Sequence, residues 1–437
     1  MTMNIPDTEQ KRVVIVGAGF GGLTLAQKLL KLDFQVVLID KNNYHQFQPL
    51  FYQVAMAGLE PSSICFPLRK IFQKKKNVFV RVANVESVDT NNNEITTSIG
   101  PLNFDYLVFA YGVETNYFGN KNLEERTIPM KSVSEALYLR NAILKDYEKA
   151  VTTTDFDKRQ GLVDIVIVGG GPTGVEVAGA LGEMKKYIFP KDYPELDVEE
   201  IDIILIQGGP VLLAGMSKES SAAAEGFLTD MGIKVILNRF VTDFDGEHIK
   251  LDDGSLIRTN KVIWAAGIAG KKMGGLPETA FARGNRIKVN RFNQVEGFTN
   301  IFAIGDICYM EEEAYPNGHP QMAQIAIQQA NLLPKNFRKL EEGEKLDQFF
   351  YKDLGSMATI GRNSAVVDLP RFKFKGFFAW IFWLAVHLFS LIGVKNRLFI
   401  FINWIWNYIT YDHSLRILIR PKTDSHEKAA PAKKEEQ

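Results

Sequence analysis

Unbroken apolar runs, rather than alternating ones, recur along the first part of the chain, and each is closed by a glycine or an acid. Arg12–Val16 (RVVIV) has the β-branched continuity of a strand buried on both faces of a parallel sheet. It runs directly into Gly17–Gly22 (GAGFGG). Apolar residues then fall at helical spacing from Leu23 to Leu32, and a second strand, Gln35–Ile39, ends on Asp40. Strand, glycine turn, helix, strand and terminal acid make a βαβ nucleotide unit. The same order returns with Asp164–Val168 (DIVIV), Gly169–Gly174 (GGGPTG), a helix from Val175 and a strand over Ile201–Ile206 (IDIILI). Tyr106–Ala110, Val262–Ala266 and Ile301–Ile304 are further buried strands, and Asn91-Asn92-Asn93 marks a hairpin turn. The chain is therefore expected to be α/β, with a whole nucleotide-binding unit duplicated.

The pattern changes after about Glu341. Gly376–Val394 holds 19 residues without a charge. As one helix it would be about 28 Å long, close to a hydrocarbon core of about 30 Å. The next segment reads differently. Asn403, Asn407, Thr410 and Ser414 recur at helical spacing and leave aromatic and aliphatic residues opposite them, as in a helix lying in a membrane interface with Trp404 and Trp406 at headgroup depth. Arg371, Lys373, Lys375, Lys395, Arg397, Arg416, Arg420 and Lys422 bracket both segments. A monotopic anchor is the expectation. A single transmembrane helix, a dimer interface or a buried helix pair are its alternatives. Thr423–Gln437 is charged and reads as a disordered tail.

Charge sharpens this division. Lys+Arg and Asp+Glu both number 51 over the 437 residues, which argues against a general nucleic-acid binder. The zero conceals a separation: Arg371–Lys422 carries eight Lys/Arg and one acid, Asp412, while the rest of the chain carries 43 against 50. A basic, aromatic base lies beneath an acidic body. The length suggests two or three domains. With two cysteines, Cys65 and Cys308, no disulfide framework, CxxC pair or zinc site can be built. Met1–Gln10 lacks a signal-peptide pattern, so a reducing, cytosolic setting is expected.

The glycine turns carry the chemistry. The first glycine of each permits the bend, the second lets backbone N–H groups approach a pyrophosphate, and the third allows close helix–strand packing. The anion then sits at a helix N-terminus. One such turn would be a tight connection and no more. Two, each after an apolar strand and opening a helix, imply two dinucleotides exchanging electrons, most simply NAD(P)H and a flavin. Asp40 is placed to accept from ribose hydroxyls. In the second unit the strand ends on Gln207 instead, which bonds a 2′-hydroxyl but repels a 2′-phosphate less than an acid would. NADH is the expected donor, with NADPH tolerated; a solvated glutamine without influence on specificity is the alternative.

Together, GAGFGG, GGGPTG and Phe302–Asp306 (FAIGD) resemble the two-dinucleotide-binding flavoprotein superfamily. More closely, Asn43–Gln53 (NYHQFQPLFYQ), Ala323–Gln329 (AQIAIQQ) and Phe377–Tyr411 resemble the type II NADH dehydrogenases, single-subunit NADH:quinone oxidoreductases that do not pump protons. The resemblance implies FAD, held non-covalently, in a discontinuous domain of residues 1–115 and 285–335, NADH in residues 116–284, and membrane-associating helices within 336–422. The candidate FAD set is Gly17, Gly19, Phe20, Gly21, Gly22, Asp40, Lys41, Ala110, Gly112, Asp306 and Ala323. The NADH set is Gly169, Gly171, Gly174, Gln207, Ala266 and Gly267. Asp306 would bond the flavin's ribityl or pyrophosphate part, cap the next helix, or both.

By the same resemblance Gln324, Ile327 and Gln328 meet the quinone, with isoleucine at 327 where some mitochondrial members carry histidine. Glu176 matches a glutamate beside the flavin, with Gln324 as the second catalytic candidate. An ordinary first-turn acid is the alternative for Glu176, and helix packing the alternative for the two glutamines. The partners implied are a membrane quinone, the bilayer on the cytoplasmic side of the inner membrane, and a second copy in a homodimer. A disulfide reductase would need a close cysteine pair, which Lys41–Gly58 lacks. A sulfide:quinone reductase would need Cys65 and Cys308 to meet.

Overall fold

Apolar runs that must bury both faces assemble here into two parallel sheets. A computed structural model describes residues 3–413 and 415–418. The first unit contains β1 (Lys11–Val16), α1 (Phe20–Leu29), β2 (Phe34–Asp40), a short α2 (Phe51–Ala55), β3 (Val78–Val82) and β4 (Tyr106–Phe109). Between β3 and β4 an antiparallel meander turns at Asn91–Asn93, where Asn93 takes a positive φ of 50°. The second unit contains β5 (Ile128–Pro129), α3 (Val133–Val151), β6 (Ile165–Val168), α4 (Pro172–Tyr187), β7 (Ile203–Gln207), β8 (Lys234–Leu237) and β9 (Val262–Trp264). The chain then returns with β10 (Ile301–Ala303) and α5 (Ala323–Glu341).

The five-stranded sheets have the orders β10-β4-β1-β2-β3 and β5-β9-β6-β7-β8. In both, the strand that feeds the glycine turn is central, and the nucleotide crevice opens at the carboxyl ends beside it. Val13, Val14 and Ile15 on β1, and Ile165, Val166 and Ile167 on β6, are fully buried. The return of β10 beside β4 completes the first sheet from a second, distant stretch of chain.

After α5 come β11 (Ser356–Thr359), β12 (Ala365–Asp368) and β13 (Lys373–Lys375), an antiparallel sheet, then α6 (Phe377–Ser390) and α7 (Val394–Thr410). The uncharged run of 19 residues is not one helix. It breaks at Leu391–Gly393, with Gly393 at φ +83°, so α6 has 14 residues. About 21 Å of helix falls short of a bilayer core. Among the described residues no helix is long and apolar enough to cross a membrane.

The amphipathicity of α7 is inside out. Asn396 donates to the carbonyls of Ser62 and Ser63, and Asn407 to that of Gly58, so the polar edge faces the protein. Val394, Leu398, Phe399, Ile402, Trp406 and Ile409 face outward, with Phe378 and Phe389 of α6. Two expectations change here. Trp404 is not at the outer surface: it is half-buried and its indole N–H donates to Gln53 at 2.8 Å, leaving Trp406 as the exposed ring. Arg397 and Arg416 are also consumed internally, by Leu391 O and by Asp192 and Asp412. Arg371, Lys373, Lys375 and Lys395 remain exposed. Ser414, Arg420, Lys422 and the tail Thr423–Gln437 lie outside the described residues.

Candidate functional site

The first glycine turn is shaped by contacts that only a missing side chain allows. Gly17 has φ +103°, and a Cβ on it would stand 2.5 Å from Ala110 O; one on Gly22 would stand 1.9 Å from Gly17 O. Gly19, the N-cap of α1, faces open space, with nothing within 4 Å of where its Cβ would be. That gap at an uncapped helix N-terminus fits a pyrophosphate. Ala18 is pinned on both sides. Its N–H donates to Asp40 Oδ2 at 2.6 Å, and its carbonyl accepts from His45 Nδ1 at 2.8 Å. Asp40 Oδ1 accepts from Asn42 N–H, and burial pushes the carboxyl up against these bonds.

Around that turn, Phe20 packs edge-on to His45 and Phe47, Lys41 is exposed, and Gly112 turns at φ +71°. Asp306 lies in the turn after β10, facing the charges of Lys131 and Arg286, which oppose the upward push of burial on its carboxyl. It does not cap a following helix: α5 begins at Ala323 after Met322, and no side chain caps it. The neighbouring Gly305 N–H is held at 2.7 Å by Gln329 Oε1.

The second turn repeats this wiring. Gly169 has φ +113°, with a would-be Cβ 2.4 Å from Ala265 O, and a Cβ on Gly174 would stand 1.9 Å from Gly169 O. Gly171, the N-cap of α4, again faces open space. Gly170 N–H donates to Gln207 Oε1 at 2.8 Å, and Gly170 O accepts from Leu213 N–H at 2.8 Å. Gln207 therefore holds the loop as Asp40 does, but its remaining edge is an amide N–H₂. Ala266 and Gly267 follow β9. Two aromatic rings lie beside this crevice: Phe118 rests against Gly267 and Phe240 against Gly208, 68% and 62% exposed.

Glu176 and the AQIAIQQ helix meet on one strap. Gln324 donates to Gly355 O at 3.0 Å and accepts from Leu354 N–H at 3.0 Å, while Gln328 makes the same pair with Lys352, at 2.8 and 3.0 Å. Both amides are thus spent on residues 352–355, and Ala323 and Ile327 lie half-buried on the same helix. The strap continues into β11, where the Thr359 backbone hydrogen-bonds the Glu176 carboxylate. That bond lowers the carboxyl pKa, but burial outweighs it and lifts Glu176 to about 8. At neutral pH it carries a proton.

Cys65 and Cys308 are both free. Cys65 pairs with Gln46 in a two-stranded ribbon, whereas Cys308 lies in the core against Asn293 and Gln329. Burial pushes their thiols up to about 11 and about 12, so neither is a ready thiolate.

Sequence reasoning missed His45, Gln329, Phe118 and Phe240. His45 and Gln329 sit inside the segments that carry the resemblance, but only the fold reveals which carbonyl or N–H each one holds. The two phenylalanines lie in loops without periodicity.

The family described as Pyridine nucleotide-disulphide oxidoreductase matches residues 11–330, and the NDH2 C-terminal domain matches residues 354–411. The type II NADH:quinone oxidoreductase Ndh of Mycobacterium tuberculosis is 34% identical over 414 residues, 91% of this chain and 88% of that protein. Among solved structures, NDH2 from Plasmodium falciparum in complex with NADH superposes with a TM-score of 0.85 at 23% identity, covering 94% of this chain and 100% of that one. The sulfide:quinone oxidoreductase of Aquifex aeolicus gives 0.71 at 21% identity, covering 89% and 92%.

Proposed function

The chain belongs to the type II NADH:quinone oxidoreductase family, and from that premise we propose how its residues divide the work of carrying electrons from NADH through FAD to a quinone. FAD supplies the two-electron relay between a nicotinamide and a quinone that never meet. The first cradle holds it. Gly19 leaves room for the pyrophosphate, and Asp40, which keeps lone pairs beyond its two backbone bonds, accepts from the ribose. Asp306 meets the ribityl or phosphate part, with Lys131 and Arg286 balancing charge.

NADH binds across the second cradle and leaves as NAD+. Gln207 offers its ribose an N–H₂ edge, so NADH is preferred and NADPH is not strongly repelled. Glu176, protonated at neutral pH, sits at the start of α4 to position the reacting ring and exchange a proton. Gln324 and Gln328 act through the strap: they fix residues 352–355 as a wall of the quinone site, where Ala323 and Ile327 contribute packing. The observation that carries this reading is the pair of cradles in one chain, each with its turn pinned by the side chain that ends the second strand.

Lipid covers the outward apolar face of α6 and α7, with Arg371, Lys373, Lys375 and Lys395 meeting anionic headgroups of the cytoplasmic leaflet. A second copy of the chain, in a homodimer, is the competing occupant of that face. Mixing the purified flavin-loaded protein anaerobically with NADH and then with a short-chain quinone tests the activity. NADH should bleach the flavin absorbance and the quinone should restore it. Bleaching that only sulfide elicits, or that no quinone reverses, would contradict it. Flotation with anionic vesicles, lost on truncation before Arg371, tests the anchor; a truncated protein that still floats would exclude it.

A further inference from the structure

Gln207 is not alone at the end of β7. Its Oε1 is taken by the Gly170 N–H, and its Nε2 lies 3.1 Å from where a Cβ on Gly209 would stand. The amide edge left for a ribose therefore looks over Gly208–Gly209. That turn is bonded to the segment leaving β8. Arg239 N–H donates to Gln207 O at 3.2 Å, Asn238 N–H donates to Gly209 O at 3.1 Å, and the Phe240 ring covers Gly208. Gln207 and Leu237 are partners across the parallel β7–β8 pair, so residues 238–240 emerge at the same carboxyl edge as the nucleotide crevice.

From Gln207 to Ser217 the chain itself carries no charge. The fold brings one there in Arg239. Its Nε donates to Asp253 Oδ2 at 2.7 Å and its Nη1 to Asn238 O at 2.9 Å. Asp253 lies in the hairpin turn between the strands His248–Leu251 and Leu256–Arg258. There it also accepts the Ser255 N–H at 3.0 Å and the Ser255 hydroxyl at 2.7 Å, and these bonds, with the charge of Arg239, hold its carboxyl down at about 2. The neighbouring Asp252 accepts the Phe240 N–H at 3.2 Å and clips the hairpin to the same segment. The side chains of Arg239 and Asp253 are 41% and 39% exposed. An ion pair in that much water is weakly held, and a stronger anion can take the cation from it.

We propose that Arg239 reads the 2′ position of the nucleotide and that Asp253 restrains it in favour of NADH. This rests on the reading of the second cradle as the nicotinamide-nucleotide site. With a 2′-hydroxyl, Gln207 supplies the hydrogen bond and Arg239 stays on Asp253. A 2′-phosphate offers the guanidinium the planar, paired acceptors that it binds best. To reach them Arg239 must leave Asp253, and the carboxylates of Asp252 and Asp253 then stand unneutralised near the phosphate. The discrimination that an acid at the end of β7 would give directly is supplied here at one remove, by a hairpin acid competing for the cation.

Titrating the full-length, flavin-loaded protein with NADP+ and with NAD+, without turnover, tests the proposal. In Asp253→Asn the affinity for NADP+ relative to NAD+ should rise by about tenfold, the scale of one charge-assisted hydrogen bond. Adding Arg239→Gln to that variant should abolish the gain, whereas adding Arg239→Lys should keep part of it. The gain should also shrink as salt is raised, because the groups are exposed. Preference for NADPH over NADH in kcat/KM should follow the binding ratio. An unchanged ratio in Asp253→Asn, or a gain that survives Arg239→Gln, would overturn the proposal. If the wild-type protein binds neither nucleotide, the reading of the second cradle fails; if it binds NAD+ and the variants leave the ratio unmoved, the role of Arg239 and Asp253 alone fails.

Discussion

The two nucleotide cradles are nearly the same object built twice. In each, the third glycine would place a Cβ 1.9 Å from the first glycine's carbonyl, and the middle residue is pinned through its N–H by the side chain ending the second strand. They differ in what surrounds that frame. The first is closed by a carboxylate, a buried histidine and Phe20 packed on His45 and Phe47. The second has an amide, a backbone N–H in the histidine's place, and two exposed rings at its rim. On the proposed assignment, the difference separates a site for a resident group from a site for one that must enter and leave each turnover. Preorganised burial suits the first, and an open rim suits the second.

The comparison breaks most violently at the first cradle. Gly22→Ala should yield protein with almost no flavin, because overpacking a tight backbone contact costs about 1–3 kcal/mol and displaces the pyrophosphate turn; the absorbance ratio of flavin to protein measures it. Next in size is the junction between the cradles. Glu176→Gln should remove the fall in quinone-dependent reoxidation as pH rises through about 8, leaving a flat profile. The sign carries over to stability. A carboxyl that binds its proton more tightly when folded favours the fold fully below its unfolded value of 4.5, and that advantage is lost as pH rises through about 8. The melting temperature of wild type should therefore decline over this range relative to the Gln variant.

Smaller effects sharpen the second cradle. Gln207→Glu should keep the hydrogen bond to Gly170, leave NADH turnover within about twofold, and raise the NADH-over-NADPH preference in kcat/KM by about tenfold, the value of one like-charge repulsion near 1.4 kcal/mol. The smallest effect belongs to the cysteines. Replacing both Cys65 and Cys308 with serine should leave NADH:quinone activity within about twofold, since neither thiol is poised to react; loss of turnover with an intact flavin spectrum would revive thiol chemistry.

Much of this was legible in the residues, for reasons that are local. A glycine turn between an apolar strand and a helix is decided by sterics within a few residues, so Gly17–Gly22 and Gly169–Gly174 announce themselves. The end of β7 at Gln207 is equally local. The membrane end was only half legible. Spacing identified a polar edge on α7, but that edge binds Gly58, Ser62 and Ser63, far away in sequence, and the same packing turned Trp404 inward. An uncharged run cannot reveal its own break at Gly393 either. The amides of Gln324 and Gln328 hold residues 352–355, a partner that spacing within one helix cannot disclose.

The division of labour between the cradles can be tested in one variant, Gly174→Ala, by following each half-reaction. The flavin content should match wild type, and protein reduced with dithionite should be reoxidised by quinone at the wild-type rate. Bleaching by NADH should slow by about a hundredfold, as expected when roughly 3 kcal/mol of binding and positioning is lost. A variant that loses its flavin, or that NADH still bleaches at full speed, would contradict the assignment of the second cradle to NADH.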